Sequence, residues 1–173
     1  MFAYCFQCST QRCGIIARLL ELQGFARAFS PTILKLQRKE GKLLELTYDL
    51  LPGYVFAYSE APWTDWAPVC RIDGLVKRMG TEQNGYVLEG GDGAFAMQLL
   101  ARNGLIGRLR VRRSANGWLV EDPLVDGKNV VIHEVDCRKQ RARVDMSIAE
   151  VTVHTWVALE LPPLGTGTAR AAE

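Results

Sequence analysis

Histidine is nearly missing from this chain, with 2 among 173 residues. Neither His133 nor His154 stands beside a serine elbow, a second cysteine or an H-E-x-x-H spacing, so serine-hydrolase and zinc-protease chemistry have no anchor. No apolar run approaches a membrane span. The start, Met1 to Cys8, has neither a basic region nor an apolar stretch of signal-peptide length, which points to a cytoplasmic protein. Charge of one sign is lacking too: 21 basic against 19 acidic residues leave +2. Each half of the chain, divided at Gly104, is itself near neutral, so any nucleic-acid contact must come from local clusters.

The cysteines number five, an odd count without an export signal, and read as reduced thiols rather than a disulfide framework. Cys5-x-x-Cys8, with Cys13 nearby, invites a zinc or redox reading. On a regular strand residues three apart point to opposite faces, so Cys5 and Cys8 cannot ligate one metal together. A thioredoxin-type pair would sit at a helix N-terminus, not inside a strand. Gly90-Gly91-Asp92-Gly93 lacks the lysine and spacing of a phosphate-binding loop. The chain is therefore expected to have no catalytic residues, no cofactor and no metal site, and not to be an enzyme.

Periodicity supplies the architecture. Phe2 to Cys8 reads as a strand with apolar residues on both faces, hence a central one. Ser9 or Thr10 is placed to cap a helix over Gln11 to Gln23, ended by Gly24. Apolar runs on either side of Gln37 to Lys42 predict a hairpin with a charged tip. Pro62 is expected to open a short helix holding Trp63 and Trp66, and Asp92 to cap a helix closed by Asn103-Gly104. Beyond Gly104 helical spacing disappears, and short β runs are punctuated by Asn116-Gly117, Asp126-Gly127 and the polar stretch Asp136 to Gln140. The predicted class is α+β: a layered α/β domain over 1–104, a linker or first basic strand over 105–113, a small all-β barrel over 114–162 and a flexible tail over 163–173.

Three basic clusters stand out. Arg108, Arg110 and Arg112 would line one face of a strand, with Leu109 and Val111 on the other; Arg138, Lys139, Arg141 and Arg143 gather around a turn. Arginine forks suit phosphates and stack on splayed RNA bases, although solvated strand edges guarded by charge look the same. Arg38, Lys39 and Lys42 at the hairpin tip can meet DNA phosphates or simply keep the tip soluble.

The most telling stretch is Leu50 to Tyr58, a Pro52-Gly53 corner running into an aromatic strand whose Tyr54, Phe56 and Tyr58 share a face. Leu51-Pro52-Gly53-Tyr54-Val55-Phe56 resembles the F/L-PGYVF signature of the NusG-type transcription elongation factors. Further on, Glu121-Asp122-Pro123-Leu124, Gly127, Val130-Val131-Ile132, Asp136, Arg138-Lys139 and Arg141-Ala142-Arg143-Val144 are similar to a KOW domain, which is an SH3-like barrel. The arginine run and the Val157 to Leu161 ending are more similar to the LoaP-like specialised paralogues.

This resemblance implies a NusG-like N-terminal domain followed by a KOW domain, in a monomer that rides on bacterial RNA polymerase. It places Tyr54 and Phe56, with Phe6 from the neighbouring strand, against the clamp helices of the largest subunit. It implies suppression of pausing and termination, known as processive antitermination. Partners would be an RNA hairpin in an operon leader, met by the Arg108 to Arg112 and Arg138 to Arg143 clusters, and non-template DNA near Arg38, Lys39 and Lys42. The resemblance departs at Phe2-Ala3, at Ser9-Thr10, at Ala149-Glu150-Val151 and over Asp65 to Val69, where the family's usual residues are absent. The competing class is a free-standing RNA-binding KOW protein with no polymerase role.

Overall fold

The structure is a computed structural model that describes residues 1–161 apart from 116, 125–128 and 149. The expected tail over 163–173, the turn residues Asn116, Asp126 and Gly127, and the Ala149 departure lie outside the described residues.

Its first sheet has the strand order β2-β5-β1-β6, with β1 at Phe2–Cys8, β2 at Arg27–Phe29, β5 at Tyr54–Ser59 and β6 at Leu75–Arg78. All its pairings are antiparallel. Strand β1 is central, as its two-sided apolar pattern predicts, and alternation splits its side chains between two cores. Tyr4, Phe6 and Cys8 face helix α1 (Cys13–Gln23), which contributes Ile16, Ala17 and Leu20. Ala3 and Cys5, with Phe56 and Tyr58 of β5, face helix α3 (Gly90–Ala101), which contributes Phe95, Ala96 and Leu99. Tyr58 is fully buried, and its hydroxyl donates to the Ala96 carbonyl at 2.8 Å.

Helix ends depart from expectation at their starts and agree at their stops, α3 closing at Asn103-Gly104 where the Gly104 amide donates to the Leu99 carbonyl at 2.8 Å. Residues Thr10–Arg12 form a single 3₁₀ turn and α1 begins only at Cys13; neither Ser9 nor Arg12 supplies a side-chain cap. At the other end Gly24 takes φ 114° and the Phe25 amide donates to the Leu20 carbonyl at 3.2 Å, a closure that satisfies the last carbonyls. Helix α3 starts two residues ahead of Asp92, which accepts from Asn129 at 2.8 Å instead of capping. Trp63 and Trp66 precede the four-residue helix α2 (Ala67–Cys70) rather than sitting in it. Their rings are held by tertiary contact: Trp63 stacks on Phe25 at 4.1 Å, and Trp66 meets Tyr4 edge-on at 5.5 Å.

Strands β3 (Thr32–Lys39) and β4 (Lys42–Asp49) form the expected hairpin, with Glu40 and Gly41 both at positive φ, as a two-residue primed turn requires. Strand β7 (Leu105–Ile106) adds in parallel to β3. After it β8 (Leu109–Ser114), β9 (Gly117–Val120), β10 (Val130–Asp136), β11 (Arg141–Ile148) and β12 (Val151–Glu160) make a five-stranded sheet in the order β10-β11-β12-β8-β9. Among the described residues its edges β9 and β10 do not pair with each other, an arrangement compatible with a curled half-barrel. The chain is thus mixed α/β and mostly strand. Ala142, Val144, Met146 and Ile148 of β11 point inward and join the same buried cluster as Phe56 and α3, so packing is continuous across position 104. Arg102 at the end of α3 pairs with buried Asp122, and Asn129 joins Asp92 of α3 to the Ser147 carbonyl of β11 at 2.6 Å.

The corner before β5 is a type II turn. Tyr54 donates its amide to the Leu51 carbonyl at 3.1 Å, Pro52 occupies the first central position, and Gly53 takes φ 87° at the second. The Gly53 carbonyl accepts the Cys8 amide at 2.7 Å, and a Cβ on Gly53 would lie 3.1 Å from the Cys8 carbonyl oxygen. Gly53→Ala is therefore expected to destabilise the fold by about 1–2 kcal/mol, the cost of a left-handed residue with a side chain. Urea unfolding measures this, and an unchanged midpoint contradicts it.

Candidate nucleic-acid interface

The aromatic residues singled out by the sequence do not form one surface patch. Cys5 pairs with Phe56 across β1 and β5, whereas Phe6 pairs with Val55, so Phe6 and Phe56 lie on opposite faces of the sheet. Both rings have 0% exposure. Phe6 packs with Phe25 and Trp66 on the α1 side, and Phe56 packs towards α3. Tyr54, at the mouth of the Pro-Gly corner, is half-buried, packs against the α3-side cluster and is the member of the trio that is not fully buried.

The basic residues are brought together more effectively. Hairpin β3–β4 and the turn between β10 and β11 face each other across a groove of about 580 Å³. Arg38, Leu36 and Leu43 contribute from the hairpin, and Arg138, Lys139 and Arg141 from the turn. Register explains the hairpin side: Arg38 is paired with Leu43, and residues directly opposite on paired strands share a face, so Leu36, Arg38 and Leu43 project the same way. Lys39 and Lys42 pair at the tip and are exposed outside the groove. Two residues assigned to DNA and RNA by the sequence, Arg38 and Arg138, thus belong to one site although 100 positions apart.

Not every arginine is free to serve a ligand. Arg108, assigned to RNA contact, is half-buried and donates to Glu45 of β4 at 2.8 Å and to Gln140 at 3.2 Å. Arg112 pairs with Glu121, while Arg110 stays exposed. Leu109 and Val111 are buried between them, as alternation predicts. Lys139 and Arg141 lie 3.7 and 3.9 Å from Asp136, the long end of ion-pair distance. Arg141 is held instead by its ring contact, with the guanidinium 4.1 Å above the Trp156 ring. Arg143, exposed on β11, pairs in register with Trp156.

Beside Arg143 on the outer face of the sheet lies an arrangement that the sequence reading passed over. His154 Nδ1 meets one oxygen of Asp145 at 2.6 Å, and His133 Nε2 meets the other at 2.8 Å. These are both of the chain's histidines, on the two strands that flank β11. The His154 hydrogen bond, seconded by His133, holds the Asp145 carboxyl below its ordinary range. A signal for this existed: Asp145 and His154 are equidistant from the β11–β12 turn, so hairpin register makes them partners. The His133 contact was not legible, because a register shift between Ile132 and Glu134 re-aims that side chain.

The Cys5 and Cys8 thiols lie in the first sheet. Cys5 and Cys8 belong to opposite cores, and burial pushes the Cys5 thiol up and that of Cys8 to about 12, so neither forms a thiolate readily. Among the described residues no group of three His, Cys, Asp or Glu side chains is placed to hold a metal ion, and no helix is long and apolar enough to cross a membrane.

No protein-family profile matches the chain, and no curated protein matches it. Solved structures do: 16 chains match. One, described as "Domain interaction in Thermotoga maritima NusG", aligns with a TM-score of 0.43 and 13% identity over 92% of this chain and 97% of that one.

The lowered carboxyl of Asp145 gives a pH-dependent expectation. A carboxyl depressed in the fold contributes stability that is present above its ordinary value of about 3.9 and is lost as pH falls through the lower folded value. The stability advantage of the unaltered protein over Asp145→Asn should accordingly shrink as pH falls below about 4. Denaturation midpoints between about pH 5 and pH 2 test it, and an advantage that grows over that interval contradicts it.

Proposed function

We propose that this chain is a NusG-type transcription elongation factor that binds bacterial RNA polymerase and suppresses pausing and termination. The observation that carries the proposal is the corner at Leu51 to Phe56. The residues that resemble the family signature form a type II turn that delivers Tyr54, half-buried, to the start of a strand buried on both faces. A partly buried aromatic at a tight turn is suited to be an anchor, since a few such groups supply most of the energy of a docked interface. In this proposal Tyr54 meets the clamp helices of the largest subunit, while Phe56 and Phe6 act from beneath by fixing the corner. The factor needs no chemistry of its own. Preferential affinity for the closed clamp shifts the polymerase towards that state and away from pausing.

The remaining assignments belong to the same proposal: a NusG-like unit over 1–104 and a KOW unit over 114–162, in a cytoplasmic, monomeric protein that is not an enzyme. Antitermination would be tied to one operon by an RNA hairpin in its leader, with Arg138, Lys139, Arg141 and Arg143 as the RNA-facing group. The exposure of Arg138 and Arg143 and the weak pairing of Lys139 support that role. Non-template DNA is assigned to Lys39 and Lys42 at the exposed hairpin tip.

Purified clamp helices are expected to bind the full chain, and Tyr54→Ala to weaken binding by at least roughly ten-fold without altering its circular dichroism. Lack of binding by the unaltered protein would falsify the polymerase role. Retention of an RNA hairpin by a chain that ignores the clamp helices would favour a free-standing RNA-binding protein.

A further inference from the structure

We infer that the groove between hairpin β3–β4 and the β10–β11 turn is a binding site for unpaired RNA nucleotides, and that RNA seated there contacts both elements at once. The inference rests on the RNA-binding part of the function proposed above and deepens it. It names the site, adds Arg38 to the RNA-facing group, and specifies the form of RNA that fits.

The chemistry of the walls selects the ligand. Arg38, Arg138, Lys139 and Arg141 line the groove, and no carboxylate is among its lining residues. Arg38 and Arg138 are exposed and take part in no ion pair among the described residues, so their donors are available to phosphate oxygens. Arg141 is held over the Trp156 ring, with the Asp136 carboxylate 3.9 Å from its Nε. Leu36 and Leu43, on the same hairpin face as Arg38, add apolar surface to the lining. Leu43 keeps 42% exposure there, surface that a nucleobase can cover. A polyanion alone does not call for leucines, and an apolar ligand does not call for four cations. A strand of alternating phosphates and flat bases uses both.

Size excludes the paired form. At about 580 Å³ the groove is of small-ligand dimensions, enough for a nucleotide or two and too small for an A-form helix. Unpaired bases from a loop or a single strand can enter it, whereas a duplex can only lie across its rim. Because the two walls come from distant parts of the chain, nucleotides held there tie the hairpin to the second sheet.

The test is fluorescence anisotropy of the full chain with a labelled single-stranded RNA of about ten nucleotides and with a blunt RNA duplex. The single strand is expected to bind more tightly. Arg38→Ala and Arg138→Ala should each weaken it by roughly ten-fold, as loss of a charge-assisted contact does, and Leu43→Glu should weaken it as well. All three side chains are exposed, so unchanged urea midpoints should accompany these losses. If Arg138→Ala weakens binding and Arg38→Ala does not, the bridging site is overturned while RNA binding by the turn survives. Equal or tighter binding of the duplex overturns the preference for unpaired nucleotides. Equally tight binding of polyglutamate overturns the nucleic-acid assignment in favour of an acidic protein partner. Failure of the unaltered protein to bind any RNA overturns this inference together with the RNA-binding part of the function proposed above, and leaves polymerase docking to be judged by the clamp-helix experiment.

Discussion

Burial on both faces of the β1–β5 pair is the constraint from which the rest of the molecule follows. Two adjacent central strands with apolar residues at nearly every position need a cover on each side. Helix α1 supplies one and helix α3 the other. Because α3 is itself apolar over Phe95, Ala96 and Leu99, its packing continues into the inward face of β11, and the second sheet is held against the first through this helix. Arg102–Asp122 and the Asn129 bridge lie on the same junction and satisfy polar groups where the apolar contact ends.

The functional surfaces inherit this plan. A strand buried on both faces can offer a partner only its ends, which is why Tyr54 at the corner is half-buried and Phe56, two residues on, is fully buried. The outer faces of the hairpin and of the second sheet, which no helix among the described residues covers, carry the arginines and the histidine pair. Apolar residues thus build the frame and basic residues occupy the faces it leaves open.

Much of this was legible in the sequence because it is local. The corner, the hairpin turn, the stop at Gly24 and the opposed faces of Cys5 and Cys8 follow from backbone preferences and period-two alternation alone. What was not legible depended on partners remote in sequence. Phe6 was grouped with Tyr54 and Phe56 because the register of β1 against β5, which sets it opposite Val55, cannot be deduced from either strand by itself. Trp63 and Trp66 looked helical beside Pro62, but their rings pack on Phe25 and Tyr4, and this tertiary contact outweighs the local signal. Asp92 was given a capping role by its position, whereas Asn129 claims its side chain. The groove joins residues on either side of Gly104, so each of its walls was seen in the sequence and the space between them was not.

Arg108 reaches across from one wall of that space to the other. One guanidinium donates to Glu45 on the hairpin and to Gln140 on the turn, so a single side chain bridges the two elements. A strut of this kind is electrical on the Glu45 side and neutral on the Gln140 side, and only the first responds to dissolved ions. Of the two contacts of this one side chain, added salt therefore weakens the Glu45 contact and leaves the Gln140 hydrogen bond in place.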